Sequence, residues 1–131
     1  MVQEGGISQD LIRGNIDTIV LRVLCEGDNY GYEIIKAVSR DSGGNYELKE
    51  SSLYTSLKRL QTQNLIEAYW GEESHGGKRK YYQITSLGKE VFEKNLKAWR
   101  EAKILIDQLI EIKENNEKEA KKFSAIQLFK A

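Results

Sequence analysis

The chain has 131 residues, of which 40% are hydrophobic and 31% charged, and its basic and acidic residues balance to a net charge of zero. This composition predicts one globular domain with an extension. It also predicts a cytoplasmic protein. No apolar run approaches the ~18 residues that cross a bilayer, the N-terminus does not resemble a signal peptide, and a single cysteine excludes an internal disulfide.

The first predicted element is a helix from Asp10 to Cys25. Its apolar residues recur with helical spacing at Ile12, Ile16, Ile19 and Val23. The apolar stripe is broader than one face needs, so this helix is expected to pack on two sides. Cys25 is expected to be buried and unreactive at its apolar end.

A second helix is predicted from about Tyr30 to Arg40, after the turn residues that follow Cys25. Tyr32 is predicted to belong to the core of the domain. A glycine-containing loop follows, and residues 46–48 are predicted to form a short strand.

The most informative segment, residues 51–82, reads as an amphipathic helix followed directly by a β-hairpin. The helix is expected to begin near Ser51, whose hydroxyl can cap it, and three leucines share one buried face: Leu53, Leu57 and Leu60. Strands are predicted at 66–70 and 80–84, around a loop that contains Gly76 and Gly77. The sequence therefore predicts a mostly α fold with a small β-wing, a winged helix-turn-helix.

In that fold the helix enters the major groove of DNA and the hairpin contacts the backbone or the minor groove. The predicted DNA-binding residues are Tyr30, Ser51, Ser52, Tyr54, Thr55, Lys58, Arg59, Lys78, Arg79 and Lys80. Tyr30 would either bond a phosphate through its phenol or belong to the core. Basic residues outnumber acidic ones in 49–85, and the local patch governs affinity for phosphates. Because the net charge of the whole chain is zero, DNA affinity is expected to come from a dimer, in which the modest basic patch of each copy is used twice.

The last helix is predicted from Thr85 or Ser86 to about Asn115. Phe92, Trp99 and Ile106 are seven residues apart, the spacing of a coiled-coil seam, and a small domain cannot cover ~25–30 helical residues. A second copy is therefore expected to pack on it, with the interface residues Ile12, Ile16, Phe92, Trp99, Ile106 and Leu109. The predicted divisions are a DNA-binding domain at 1–85, a dimerisation helix at 86–116, and a frayed or disordered tail at 117–131.

Two copies would bring two Trp99 side chains face to face. They would either hold a flat aromatic ligand between them or pack together as an interface anchor. No catalytic or metal-binding arrangement is predicted, because the only histidine, His75, has no cysteine or paired carboxylates near it. No enzyme activity and no cofactor are therefore predicted.

The chain resembles the PadR family of bacterial transcriptional repressors over residues 9–112, through GDNYGYEIIK (27–36), SSLYTSLKRLQTQNLI (51–66) and YWGEESHGGKRKYYQIT (69–85). Within the family it is most similar to the short multidrug-binding members of lactococcal type, whose pore tryptophan matches Trp99. The resemblance implies a homodimer formed by the first and last helices. It also implies a central pore lined by Leu11, Gly14, Thr18, Leu96, Trp99 and Lys103. A planar aromatic molecule bound there would respace the two recognition helices and weaken operator binding.

Two positions depart from those members. Lys103 replaces an acidic residue and Leu96 replaces an aromatic one, so neutral or anionic planar ligands are expected by charge complementarity. Two alternatives stay open. One is a repressor of the same family without a drug pore, and the other is a winged-helix adaptor that binds other proteins through its long helix.

Overall fold

A computed structural model describes residues 8–72 and 77–113. The chain there forms five helices and three strands: α1 Gln9–Arg13, α2 Ile16–Cys25, β1 Asn29–Tyr30, α3 Gly31–Asp41, α4 Glu50–Thr62, β2 Ile66–Glu72, β3 Lys78–Ile84 and α5 Ser86–Ile110. This mostly helical fold with a small antiparallel sheet and a long last helix confirms the predicted class. Among the described residues, no helix combines the length and the hydropathy needed to span a membrane.

The core lies among α2, α3, α4 and the base of the hairpin. The three leucines of the predicted α4 face are each at most 1% exposed, which confirms that face: Leu53, Leu57 and Leu60. Ile34 and Val38 of α3 are buried beside them. The hairpin pairs Ile66 with Ile84 at its base and Glu72 with Lys78 at its far end, so both predicted strands are confirmed and slightly longer.

The predicted helix from Asp10 to Cys25 is confirmed except at Gly14 and Asn15, where it is broken into α1 and α2. Both residues are poor helix formers. Since α1 fully buries none of its residues, little packing offsets that preference: Ile12 is only partly buried against the core, and Leu11 is 73% exposed. Cys25 is exposed and not buried, because α2 ends there, past its last buried residue, Leu24.

The predicted strand at 46–48 is also wrong. Tyr46 and Leu48 are buried and Glu47 is exposed, so burial alternates as in a strand, but the segment pairs with no strand of the described sheet. Its backbone is held locally instead, because the Tyr46 N–H donates to the Ser42 hydroxyl at 3.1 Å. The third strand is β1, which pairs Asn29 with Tyr82 of β3.

Two further predictions about side chains fail. Tyr32 is 65% exposed, because Ile34 and Val38 occupy the buried side of α3. The α4 helix begins at Glu50, with Lys49 at its N-cap and no side-chain cap, so Ser51 lies inside the first turn and does not cap the helix.

The start of α5 is fixed against the end of α4. The Thr85 hydroxyl accepts the Gly88 N–H at 2.9 Å and also lies 3.1 Å from the Leu65 carbonyl oxygen, to which it can donate. A Cβ at Gly88 would overlap that same carbonyl oxygen, so only glycine permits this approach. The described part of α5 ends at Ile110, before the predicted Asn115, and the predicted tail at 117–131 lies outside the described residues.

The chain divides into two compact units between Lys97 and Ala98, within α5. The first unit contains α1 to α4, the sheet and the start of α5. The second contains the rest of α5, in which Trp99 is 43% exposed and Leu109 is 74% exposed.

Candidate nucleic-acid interface

The beginnings of α3 and α4 and the strand β3 surround one open cleft of about 350 Å³. We call it the aromatic cleft; its lining residues are Tyr30, Gly31, Tyr32, Tyr54, Arg79, Lys80 and Tyr82. Four predicted DNA-binding residues thus meet here from three separate elements: Tyr30, Tyr54, Arg79 and Lys80. Two cations beside phenol rings form a surface suited to a phosphate backbone.

Gly31 allows α4 to approach the start of α3. A Cβ at this position would overlap the Tyr54 hydroxyl oxygen and would lie 2.9 Å from the Tyr54 Cζ. The Tyr54 side chain therefore lies directly against Gly31 while remaining 47% exposed. The hydroxyl end of the side chain is packed against α3, and nearly half of the residue remains exposed to a ligand.

A stack of side chains joins the hairpin to the start of α3. The Arg79 guanidinium lies over the Tyr30 ring, with 4.0 Å from Cζ to the ring centroid. The Tyr30 ring meets the Tyr81 ring edge-on at 5.4 Å, and Tyr81 stacks on Tyr69 at 5.7 Å. The Tyr69 hydroxyl donates to the Asp28 carboxylate at 2.6 Å. Cation–π and aromatic contacts of this kind restrain the side chains that make them.

The same stack depends on a glycine in the hairpin. Gly71 lies opposite Arg79, and a Cβ there would lie 2.7 Å from Cε1 of the Tyr81 ring, too close for either residue to stay in place. The hydrogen bond to Asp28 raises the pKa of Tyr69 above its usual value, because the neutral phenol is the donor. The stack therefore anchors β2 as well as β3.

The Tyr30 hydroxyl is engaged within the chain. It donates to the Glu33 carboxylate at 3.3 Å, and Glu33 also pairs with Lys36 at 3.4 Å. Tyr30 is partly buried, and its ring contacts the hairpin. Its observed contacts are therefore those of a platform beneath Arg79.

The exposed side of α4 carries Tyr54, Thr55 and Lys58, as predicted for residues that face DNA. Ser51 is exposed and Ser52 is half-buried in the first turn. Arg59 is different, because it is bound to Asp17 of α2, with Nε at 2.7 Å and Nη2 at 2.6 Å from the carboxylate oxygens.

Asp17, whose carboxylate joins α2 to α4, was not among the residues predicted from the sequence. Partial burial would raise the pKa of Asp17, but hydrogen bonds from Arg59 and Ser56 and the charge of Arg59 outweigh it, so the pKa lies below its usual value. The one feature of the sequence that could have pointed to this contact is Ser56, a polar residue beside the apolar face of α4. Asp17 and Arg59 are 42 residues apart, and no local pattern links them.

The residues predicted for the pore and the dimer fall in both units. Leu11, Gly14, Thr18 and Leu96 belong to the first unit, and Trp99 and Lys103 belong to the second. Three predicted interface residues are partly buried against the core of their own chain: Ile12, Ile16 and Phe92. The others are exposed on α5: Trp99, Ile106 and Leu109.

The tip of the predicted wing loop, with His75 and Gly76, lies outside the described residues. Within residues 8–72 and 77–113, no three His, Cys, Asp or Glu side chains are grouped as a metal site would require.

Comparison with known proteins gives a consistent result. Residues 20–94 match the transcriptional regulator PadR-like family. An uncharacterized protein of Lysinibacillus sphaericus is 46% identical over 105 residues, which cover 80% of this chain and 96% of that protein. The transcriptional regulator YqjI of Escherichia coli is 35% identical over 82 residues, 63% of this chain but only 38% of YqjI.

Solved structures show the same likeness. A transcriptional regulator from Clostridium thermocellum is 39% identical with a TM-score of 0.74, over 80% of this chain and 99% of that chain. A PadR family transcription regulator from Clostridium difficile is 37% identical with a TM-score of 0.65, over 75% of this chain and 100% of that chain. The family match contains all the elements that line the aromatic cleft.

Proposed function

Because the chain belongs to the PadR-like family of transcriptional regulators, we propose that it is a repressor that binds operator DNA through α4, the β2–β3 hairpin and the start of α3. Regulators of this family bind DNA. The observation that carries the proposal is the aromatic cleft, where predicted contacts from the three elements come together around two cations. In this scheme α4 is the recognition helix and the hairpin is the wing.

Two surfaces of the protein are proposed to contact different parts of the DNA. The exposed side of α4 presents Tyr54, Thr55 and Lys58 to base edges in the major groove. The wing presents Lys78, Arg79 and Lys80 to phosphates. Phosphate contacts fix the position of the protein, and base contacts select the sequence.

The DNA contacts are tested with the double variant Lys58→Ala and Arg79→Ala. Binding to a duplex from upstream of the chain's own gene is measured by fluorescence anisotropy over a range of salt, with a scrambled duplex as competitor. The loss of Arg79, a proposed phosphate contact, should flatten the slope of log K against log salt by about one unit, and the loss of Lys58, a proposed base contact, should lower the preference over the scrambled duplex.

The control is the double variant Lys89→Ala and Lys94→Ala, which removes two exposed cations of α5. It changes the net charge equally and should keep the slope. If both double variants bind DNA like the unchanged protein, the proposed surface is wrong.

The repressor is further proposed to act as a homodimer. The second half of α5 leaves large apolar side chains uncovered in the single chain, among them Ile106 and Leu109, and an exposed apolar patch of this kind favours a partner. A two-fold dimer would also double a modest basic patch. Sedimentation at micromolar concentration should give a dimer, and Ile106→Glu with Leu109→Glu should give a folded monomer.

The repressor is proposed to be relieved by a planar aromatic molecule that stacks on Trp99 at the dimer interface. Trp99 is 43% exposed, which leaves it accessible for stacking. The exposed cation Lys103 follows it by one turn of α5 and favours a neutral or anionic ligand over a cationic one. A flat ring stacked between two indoles would alter the dimer and hence the distance between the two recognition helices.

A further inference from the structure

The carboxylate of Asp17 on α2 binds α4 by three hydrogen bonds. Ser56 Oγ donates to Oδ1 at 2.6 Å, and Arg59 donates to both oxygens, from Nη2 at 2.6 Å and from Nε at 2.7 Å. A bidentate arginine–carboxylate pair of this kind combines opposite charges with a fixed hydrogen-bond geometry. We call Asp17, Ser56 and Arg59 the α2–α4 clamp.

The clamp lies on one flank of α4. Successive helical residues turn by about 100° around the axis, so Ser56 and Arg59 lie to one side of the buried leucines and Tyr54 lies to the other. The Ser56 side chain is fully buried, so its hydroxyl requires a partner, and Asp17 is that partner. The buried leucines hold α4 against the core, and the clamp adds hydrogen bonds to α2 on one flank only. Without these bonds, a small rotation of α4 about its axis would redirect Tyr54.

The helix that carries Asp17 is itself held in place. The next residue, Thr18, accepts a hydrogen bond from Asn95 Nδ2 of α5 at 3.0 Å. One turn further along α2, Arg22 pairs with Asp41 at the end of α3 at 2.6 Å. Because α2 is bonded to α3 and α5 as well, it gives α4 a fixed support.

We propose that Asp17 is a positioning residue for DNA recognition, which fixes the rotation of α4 through Ser56 and Arg59. That rotation sets the direction in which Tyr54 and Lys58 meet the bases. The inference rests on the proposed function, and it assigns Arg59 to positioning instead of to direct DNA contact. Since the wing contacts phosphates whatever the rotation of α4, the clamp governs the preference for operator over other sequences.

The test compares Asp17→Asn with Asp41→Asn in the full chain. Each variant neutralises the carboxylate of an ion pair that joins α2 to another helix, but the Asp17 pair reaches α4 whereas the Asp41 pair reaches α3. A duplex is first selected from random-sequence DNA by the unchanged protein. Affinities for this duplex and for a scrambled one are then measured over a range of salt, and circular dichroism confirms that each variant is folded.

Asp17→Asn is expected to lower the preference for the selected duplex about tenfold, the cost of a misplaced base contact. Its affinity for the scrambled duplex and the salt slope should not change, and Asp41→Asn should keep the full preference. A carboxylate that only stabilised the fold would leave the preference of the folded molecules intact. If Asp17→Asn does not fold, Ser56→Ala, which removes one of the three bonds, should show the same loss to a smaller degree.

Two results would overturn the proposal. One is a folded Asp17→Asn variant with the full preference. The other is tighter binding to both duplexes with a steeper salt slope, since Arg59 would then be contacting phosphate once released. If the unchanged protein selects no duplex at all, the proposed function itself fails, which is a separate outcome.

Discussion

The guanidinium carbon of Arg79 lies 4.0 Å from the centre of the Tyr30 ring. This contact joins the proposed wing to the first residues of α3, and it holds a cation at the edge of the aromatic cleft. A cation held over an aromatic ring loses less conformational freedom when it binds a phosphate. In the proposed interface this relationship gives the Tyr30 ring a role that does not require its hydroxyl to touch DNA.

Tyr30 variants separate the ring from the hydroxyl. Tyr30→Phe keeps the platform and should bind DNA within about twofold of the unchanged protein, whereas Tyr30→Ala should bind about tenfold more weakly, as expected for a lost cation–π contact. Anisotropy titration with the operator duplex measures both. If Tyr30→Phe were as weak as Tyr30→Ala, the hydroxyl would be a phosphate donor after all.

Tyr69→Phe tests the anchor of the wing. The change removes the hydrogen bond to Asp28 and keeps the ring stacked on Tyr81, so operator binding should weaken because the hairpin is less restrained. Asp28→Asn, which keeps an acceptor, should weaken binding less. Tyr46→Phe is the control, since Tyr46 is buried in the core and makes none of the ring contacts of the stack. Equal effects of Tyr69→Phe and Tyr46→Phe would argue against the anchor.

The α2–α4 clamp predicts a dependence of stability on pH. The pKa of Asp17 is below its usual value of 3.8 in the folded chain, so its contribution is complete above that value and is lost as the pH falls through the lower, folded value. Asp17→Asn should therefore lower the free energy of unfolding by about 1–2 kcal/mol near neutral pH. The difference between the two proteins should shrink in acid. Urea unfolding at several pH values measures it, and a difference that stays constant in acid would contradict the assignment.

Gly88→Ala should destabilise the fold by about 2 kcal/mol, because the added Cβ overlaps the Leu65 carbonyl oxygen and approaches Ile84 Cγ1 to 2.7 Å. Gly14→Ala is the matched control, since no atom lies within 4 Å of a Cβ there and its φ is −71°. That variant should keep or slightly raise the melting temperature. Equal melting temperatures for the two variants would show that α5 can move away from Leu65.

The effector hypothesis is tested at the two tryptophans. A planar aromatic dye should quench tryptophan emission and release the operator, and both effects should vanish in Trp99→Ala. The control is Trp70→Phe, because Trp70 is the other emitter and is exposed on the wing strand β2. If dye leaves both emission and DNA binding unchanged, the alternative of a repressor without a drug pore is favoured.

Local patterns in the sequence determined much of this protein. Three leucines with helical spacing defined the buried face of α4, and two strand-like segments around a glycine-containing loop defined the hairpin. Both depend on residues close together in the chain, so period and turn chemistry suffice to predict them. The helical spacing of apolar residues did not reveal the break at Gly14 and Asn15, two residues of low helix propensity, so one helix was predicted where the chain forms two.

The tertiary structure alone decided how these elements act together. Arg59 reads as an exposed cation of a DNA-facing helix, yet it binds Asp17, 42 residues away. Tyr69 reads as a strand residue, yet it anchors the wing to Asp28, 41 residues away. Such contacts depend on the angle and distance at which whole elements pack, and those are set by the sum of many weak interactions across the core. The sequence by itself therefore determined the helices, the hairpin and their charges, whereas only the packed fold decided which charged side chains face solvent and which hold the elements in place.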